Sequence, residues 1–200
     1  MRAYRDGVFP WYNEGDPILW WSPDPRAVIE LQSSEGKNSI YGGLHVSHRL
    51  ARTIRSGKFR VTFDQCFSRV MESCGQQREG GTWVTAKMLE AYTEMHQLGH
   101  AHSVETWCGD QLAGGVYGLA IGGLFAAESM FYRVTDGSKV ALAALVARLR
   151  AKNFVLLDVQ MKTAHTERMG AINIPRSDYL RRLRKAIQIS NVSFLDAQPR

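Results

Sequence analysis

Apolar positions along this chain change period several times, and each change marks an element. Residues 85–98 place Met88, Ala91, Tyr92 and Met95 on one helical face, and Gly99 stops the run. Residues 138–152 repeat the 3.6-residue period more strongly, turning Leu142, Leu145, Val146 and Leu149 inward. A period of two takes over at 59–63, where Phe59, Val61 and Phe63 alternate with Arg60 and Thr62. Further strands are predicted at 102–107 and 154–160, with 112–120 and 122–131 as the arms of a hairpin. The other predicted helices cover 45–56 (ended by Gly57), a run from a cap at Asp64 to Cys74, 163–169, and 176–187 behind Pro175. Pro10, Pro17, Pro23 and Pro25 rule out a long helix in residues 1–35, which read as an irregular segment pinned by aromatics. Polar, glycine-bearing loops follow at 32–43 and 75–81. The order of elements describes a mixed α/β domain over 36–200 behind a small N-terminal piece, 1–35.

Two apolar runs end in residues that an ordinary buried strand excludes. In Leu156-Leu157-Asp158-Val159-Gln160, alternation sets Asp158 and Gln160 on one face, Leu157 and Val159 on the other. An unpaired buried acid or amide is costly, so the pair needs partners or a purpose. It is either a strand end whose acid caps the next helix, or an orienting and proton-handling pair at a sheet edge, where ligands collect in α/β folds. Glu128 sits in Phe125-Ala126-Ala127-Glu128-Ser129-Met130-Phe131. It either meets a cation across the sheet or faces a pocket, where it could hold a cationic substrate group.

Composition changes this picture little: 200 residues, 44% hydrophobic and 22% charged, suffice for a sizeable core. Charge adds more. The net value is +6, and His48, Arg49, Arg52, Arg55, Lys58 and Arg60 occur within 48–60 without an acid. Residues 176–185 add five basic side chains against Asp178 alone. Such faces are usually just solvated, but they also suit a polyanion. Trp83, beside polar sequence, is either core or a platform for stacking a base. Three cysteines without a CxxC pair, no apolar leader and no apolar run longer than 116–127 point to a cytoplasmic protein with reduced thiols and no membrane span. His96, His100 and His102 lack a completing acid or thiol at ligand spacing, so no metal is expected. The glycines at 114, 115, 118, 122 and 123 match no phosphate loop, and no GxSxG nucleophile motif occurs.

Several ordered runs together carry a resemblance. They are GVFPWY at 7–12, DPILWWSPDPR at 16–26, GTWVT at 81–85, LGHAHSVE at 98–105, GGVYG at 114–118, ESMF at 128–131, LDVQ at 157–160, MGA at 169–171, and Pro175-Arg176. From about Tyr4 to Ile187 the chain resembles the bacterial leucyl/phenylalanyl-tRNA–protein transferases, and the WWSPDPR run is the most specific match. The resemblance implies a GNAT-like, acetyltransferase-type fold behind a small N-terminal domain. The family's usual upstream stretch, with a Gly-Gly-Asp-Leu run, is not found ahead of Tyr4, so the expectation is either a misassigned start or a reduced N-terminal domain, and 32–43 read as an insertion.

The implied activity moves leucine, phenylalanine or methionine from aminoacyl-tRNA to the N-terminal Arg or Lys of a protein. Such a product is marked for degradation by the N-end rule. By motif position the resemblance implies that Asp158 and Gln160 orient and deprotonate the acceptor amine, that Glu128 is an acidic residue of the acceptor pocket, and that Trp83 stacks on the terminal adenosine of tRNA. Phe125, Met130, Leu145, Leu149 and Leu157 would line the aminoacyl pocket. A cofactor-free, monomeric enzyme is expected, because an aminoacyl ester is already activated. Two other classes fit a similar fold. One is an acyl-CoA N-acetyltransferase, which would usually show a [QR]xxGx[GA] pyrophosphate loop that is not found in the expected place; the other is a tRNA-binding module without catalysis.

Overall fold

The structure is a computed structural model that describes residues 1–13, 15–32, 40–76 and 84–196. Its elements in chain order are α1 (Arg2–Arg5), β1 (Phe9–Pro10), β2 (Trp20–Trp21), β3 (Arg26–Ile29), α2 (His48–Arg55), β4 (Arg60–Phe63), α3 (Phe67–Gln76) and α4 (Ala86–Gln97). There follow β5 (Ala101–Cys108), β6 (Gln111–Ile121), β7 (Leu124–Tyr132), α5 (Gly137–Ala151), β8 (Leu156–Gln160), α6 (Ala164–Arg168), β9 (Ile172–Ile174) and α7 (Arg176–Ala186). Local chemistry fixes several boundaries. The Ser47 and Thr85 hydroxyls accept from the backbone N–H of Leu50 and Met88, Thr163 forms a capping box with Thr166, and Gly57 and Gly99 take left-handed backbone just past α2 and α4.

Seven strands form one mixed sheet in the order β4-β5-β6-β7-β8-β3-β9. Its neighbours run antiparallel except β7 and β8, which are parallel and joined through α5. Strand alternation then feeds two cores. Phe67, Val70 and Met71 of α3, Met88 and Tyr92 of α4, and Tyr179 and Leu183 of α7 cover one face. Leu50 of α2, Leu142, Leu145, Val146 and Leu149 of α5, and Phe194 cover the other. The small ribbon β1–β2 lies outside this sheet and leaves Trp20 and Trp21 exposed.

Three expectations change. Residues 1–35 are not irregular throughout, since β3 is inserted between β8 and β9 in the main sheet. Its four residues open with a charged side chain, so neither length nor alternation marked it as core. Second, β9 had no signal at all, being three residues with two exposed. Third, Asp64 does not cap α3. At φ 56 it accepts hydrogen bonds from His102 Nδ1 and the Ser103 N–H, which ties the turn after β4 to the start of β5.

The N-terminal end of α5 approaches β6 at backbone contact. A Cβ on Gly114 would stand 2.7 Å from the Gly137 carbonyl carbon and 2.8 Å from the Ser138 nitrogen. Gly114→Ala should therefore push α5 away and destabilise the protein by about 1–3 kcal/mol. Chemical denaturation measures this, and an unchanged midpoint would show that the helix start can shift freely.

Candidate active site

Pairing between the parallel strands β7 and β8 runs from Leu124↔Leu156 to Ala126↔Asp158 and goes no further. Beyond that point the strands part and an open cavity of about 540 Å³ lies between them. Ala127, Glu128, Ser129 and Met130 line it from β7, Val159 and Gln160 from β8. Phe9, Pro10 and Trp11 border it from the N-terminal ribbon, Ser138 from the start of α5, and Thr163, His165 and Thr166 from α6 and its cap.

A β-bulge aims Glu128. Tyr117 pairs with Ser129 and Gly118 with Ala127, leaving Glu128 as the extra residue of β7. Its carboxylate is buried against the core that Tyr92 of α4 helps to form. Tyr92 donates to Oε2 at 3.0 Å, and Tyr4 in turn is hydrogen-bonded to the Tyr92 hydroxyl at 2.5 Å. The Gln160 amide donates from Nε2 to Oε1 at 3.0 Å, which spans the gap between β7 and β8. Burial pushes the Glu128 carboxyl up to about 8; the tyrosine hydroxyls oppose this, and the nearby Asp158 adds to it. Burial and the Glu128 charge hold both tyrosines well above the usual phenol range, so they stay protonated donors.

Asp158 is arranged differently. It is 1% exposed, as is Arg26, and the two form a fork of bonds at 2.9 Å to Oδ1 and 2.6 Å to Oδ2. The Gln160 backbone N–H also donates to Oδ1, at 2.8 Å, and the Tyr179 hydroxyl to Oδ2, at 2.8 Å. A carboxylate offers about four lone-pair sites, and all four are taken. Burial works against the charged Arg26 guanidinium, but the Asp158 carboxylate outweighs it. Arg26 also lies between the rings of Phe9 and Tyr179, at 4.8 and 4.4 Å from their centroids, and donates to the Gly7 carbonyl. Gln160 sits at φ 64, in the left-handed region, and the Asp158 bond to its N–H steadies that turn.

The sequence-derived candidates thus fall into separate places. Glu128 and Gln160 meet in the cavity, with Asp158 immediately behind them. Of the expected aminoacyl pocket, Met130 lines the cavity wall. Phe125, Leu145, Leu149 and Leu157 are at most 1% exposed and lie in the core cluster against which Met130 and Val159 pack, one layer behind that wall. Trp83 lies outside the described residues. His96 stacks on Phe67, and His102 bonds Asp64, so each has a local role.

Sequence reasoning missed Arg26, Tyr179, Tyr4 and His165. Arg26 closes the WWSPDPR run, where a cation directly before Ala27-Val28-Ile29 was the available signal. His165 lines the cavity, and its buried Nε2 makes no hydrogen bond among the described residues. Burial, then Lys139 and Arg168, lower its pKa, which keeps the ring neutral at physiological pH.

Comparison with known proteins identifies the family. The family model described as leucyl/phenylalanyl-tRNA protein transferase matches residues 40–184, and that of the N-terminal domain of the same family matches residues 1–24. A leucyl/phenylalanyl-tRNA–protein transferase of Magnetococcus marinus is 49% identical over 193 residues, covering 94% of this chain and 78% of the relative. That of Ectopseudomonas mendocina is 51% identical over 91% of this chain and 78% of its own length. The Escherichia coli O7:K1 protein is 46% identical over 90% and 73%.

Removing one partner of a buried ion pair typically costs about 3–5 kcal/mol, whereas replacing both by apolar groups costs far less. Arg26→Met should therefore destabilise the fold by about that amount, and the double variant Arg26→Met/Asp158→Leu should recover part of the loss. Urea unfolding of the two variants checks the difference, and equal stability would show that Asp158 is not left uncompensated.

Proposed function

Because the chain belongs to the leucyl/phenylalanyl-tRNA–protein transferase family, we propose that the cavity between β7 and β8 is where an aminoacyl group passes from tRNA to the N-terminal amine of a protein. The contact of Gln160 with Glu128 across the parted strands carries this reading. An aminoacyl ester is an activated acyl donor, so the protein has mainly to bring a neutral amine to the carbonyl carbon at the correct angle. With the Gln160 N–H₂ committed to Glu128, its carbonyl Oε1 remains as a fixed acceptor for that amine. Asp158 is a positioning residue, holding Gln160 through the backbone.

The wall formed by Val116, Ala127, Met130 and Val159 receives the transferred side chain, backed by Phe125, Leu145, Leu149 and Leu157. Leucine, phenylalanine and methionine suit such a wall. The acceptor's N-terminal Arg or Lys enters from the Glu128 side, and the product is a substrate for N-end rule degradation. The charged donor approaches along α2, whose Arg49, Arg52 and Arg55 are exposed. Arg49 reaches to 3.7 Å from Asp136, the residue that caps α5 two positions before the cavity-lining Ser138. On α7, by contrast, Arg176, Arg181 and Arg182 are engaged with Ser22 and Asp24, with Asp178, and with Glu30. Trp83 is assigned to stacking on the terminal adenosine from its place in the family pattern. The enzyme works as a monomer in the cytoplasm, where charged tRNA is found.

The direct test supplies radiolabelled Leu-tRNA and an Arg-started peptide, and in parallel labelled acetyl-CoA with the same peptide. Label should reach the peptide from Leu-tRNA. Transfer from acetyl-CoA alone would make the protein an acetyltransferase, and tRNA binding without transfer from either donor would make it a binding module. Donor choice should be graded, with Leu and Phe ahead of Val and Ile by about 1–3 kcal/mol in kcat/KM. Charge reversal of Arg49, Arg52 and Arg55 should flatten the salt dependence of the KM for Leu-tRNA, since fewer counterions are released on binding.

A further inference from the structure

The cavity is lined by one carboxylate with neutral hydrogen-bond donors, and immediately behind it lies a second whose acceptor positions are all filled. All four acceptor positions of Asp158 are filled by Arg26 Nε, Arg26 Nη2, the Tyr179 hydroxyl and the Gln160 N–H. Taking a proton there would break a buried ion pair. Glu128 accepts from Tyr92 at Oε2 and from Gln160 at Oε1, each at 3.0 Å, and lines the cavity. Neither donor is a cation, so protonation leaves no buried positive charge without a partner.

We infer that Glu128 takes the proton from the attacking amine and returns it to the departing ribose oxygen of the tRNA. This rests on reading the cavity as the aminoacyl-transfer site. The acceptor enters as a neutral amine. Its nitrogen forms a bond to the aminoacyl carbonyl carbon, and one N–H proton passes to a Glu128 carboxylate oxygen. The ester C–O bond then breaks, and the same proton goes to the ribose oxygen that leaves. The products are an amide and a free hydroxyl, and Glu128 ends as a carboxylate again. Burial pushes the Glu128 carboxyl up to about 8, which makes it a stronger base toward the amine N–H than an ordinary carboxylate, and its conjugate acid can protonate the far more basic ribose oxygen as that oxygen leaves. The other groups around Glu128 do not compete. Tyr4 from α1 and Tyr92 from α4 stay protonated, Arg26 from β3 is held by Asp158 from β8, and His165 from α6, whose pKa is lowered by burial and then by Lys139 and Arg168, is a weaker base than Glu128.

The test measures single-turnover transfer from Leu-tRNA from about pH 6 to about pH 10, using two acceptors, an Arg-started peptide and the same peptide ending in an aminooxy group. The aminooxy nitrogen is neutral throughout that range, so the acceptor's own ionisation drops out. With it, the wild-type rate should still rise through about pH 8 and then level off, because Glu128 is a base only above its pKa. Glu128→Gln should lose about 10²–10⁴-fold in kcat, with KM for both substrates little changed and a flat profile with the aminooxy acceptor. Glu128→Asp should recover part of the rate.

A flat wild-type profile with the aminooxy acceptor overturns the inference whatever the variants do. So does a Glu128→Gln enzyme that keeps kcat within about threefold of wild type, or one whose loss appears only in the peptide KM; the latter would leave Glu128 as a binding group alone. Failure of the wild type to transfer leucine at all is a separate outcome, and it overturns the reading of the site itself.

Discussion

The buried fork between Arg26 and Asp158 is the constraint from which the site is built. It joins elements distant in sequence: β3 through Arg26, β8 through Asp158, α7 through Tyr179, and the N-terminal segment through the Gly7 carbonyl and the Phe9 ring. Desolvating two charges to this degree is costly, and apolar residues of similar volume would often stabilise a fold equally well. What an apolar pair cannot do is hold the Gln160 backbone N–H at 2.8 Å while that residue stands in left-handed conformation. The pair fixes where β8 ends, and so where the cavity begins.

From that point two carboxylates in one neighbourhood are driven apart in behaviour. Asp158 has a guanidinium, a phenol and a backbone amide, which together fill its acceptor positions. Glu128 has only neutral donors and a buried seat, so its carboxyl is pushed up to about 8. Tyr92 and Tyr4 moderate the effect, because each hydroxyl bond favours the ionised form of Glu128.

Much of the fold was legible because the strongest signals were long and periodic. The 138–152 helix and the hairpin of β6 and β7 fall within a few residues of their expected limits. Alternation also placed Asp158 and Gln160 on one face, and flagged Glu128 as a residue in need of a partner. The partners themselves were not legible. Glu128 faces the cavity, one of the two readings its sequence context left open, but its partners are a tyrosine and an amide rather than a cation. Arg26 was hidden for a related reason: its significance comes from contacts 132 residues away, which no local pattern encodes. The aminoacyl residues taken from the family pattern share a similar limit. A periodic pattern shows which side of a helix or strand is apolar, but not whether a given Leu forms the surface of a cavity or the layer beneath it.

The parting of β7 from β8 brings two kinds of surface to one cavity. Alternation, reset in β7 by the bulge at Glu128, sends Ala127, Met130 and Val159 toward the apolar core of α5, while Glu128 and Asp158 bond tyrosines of the core under α4 and α7. While the strands are paired those faces are separated by the sheet. Where pairing stops after Ala126 and Asp158, both faces border the same open space. An apolar side chain and a polar amine can then approach each other from opposite sides of what would have been a continuous sheet, each meeting only the chemistry that suits it. The side-chain bond from Gln160 to Glu128 crosses the gap that backbone hydrogen bonds would otherwise have spanned.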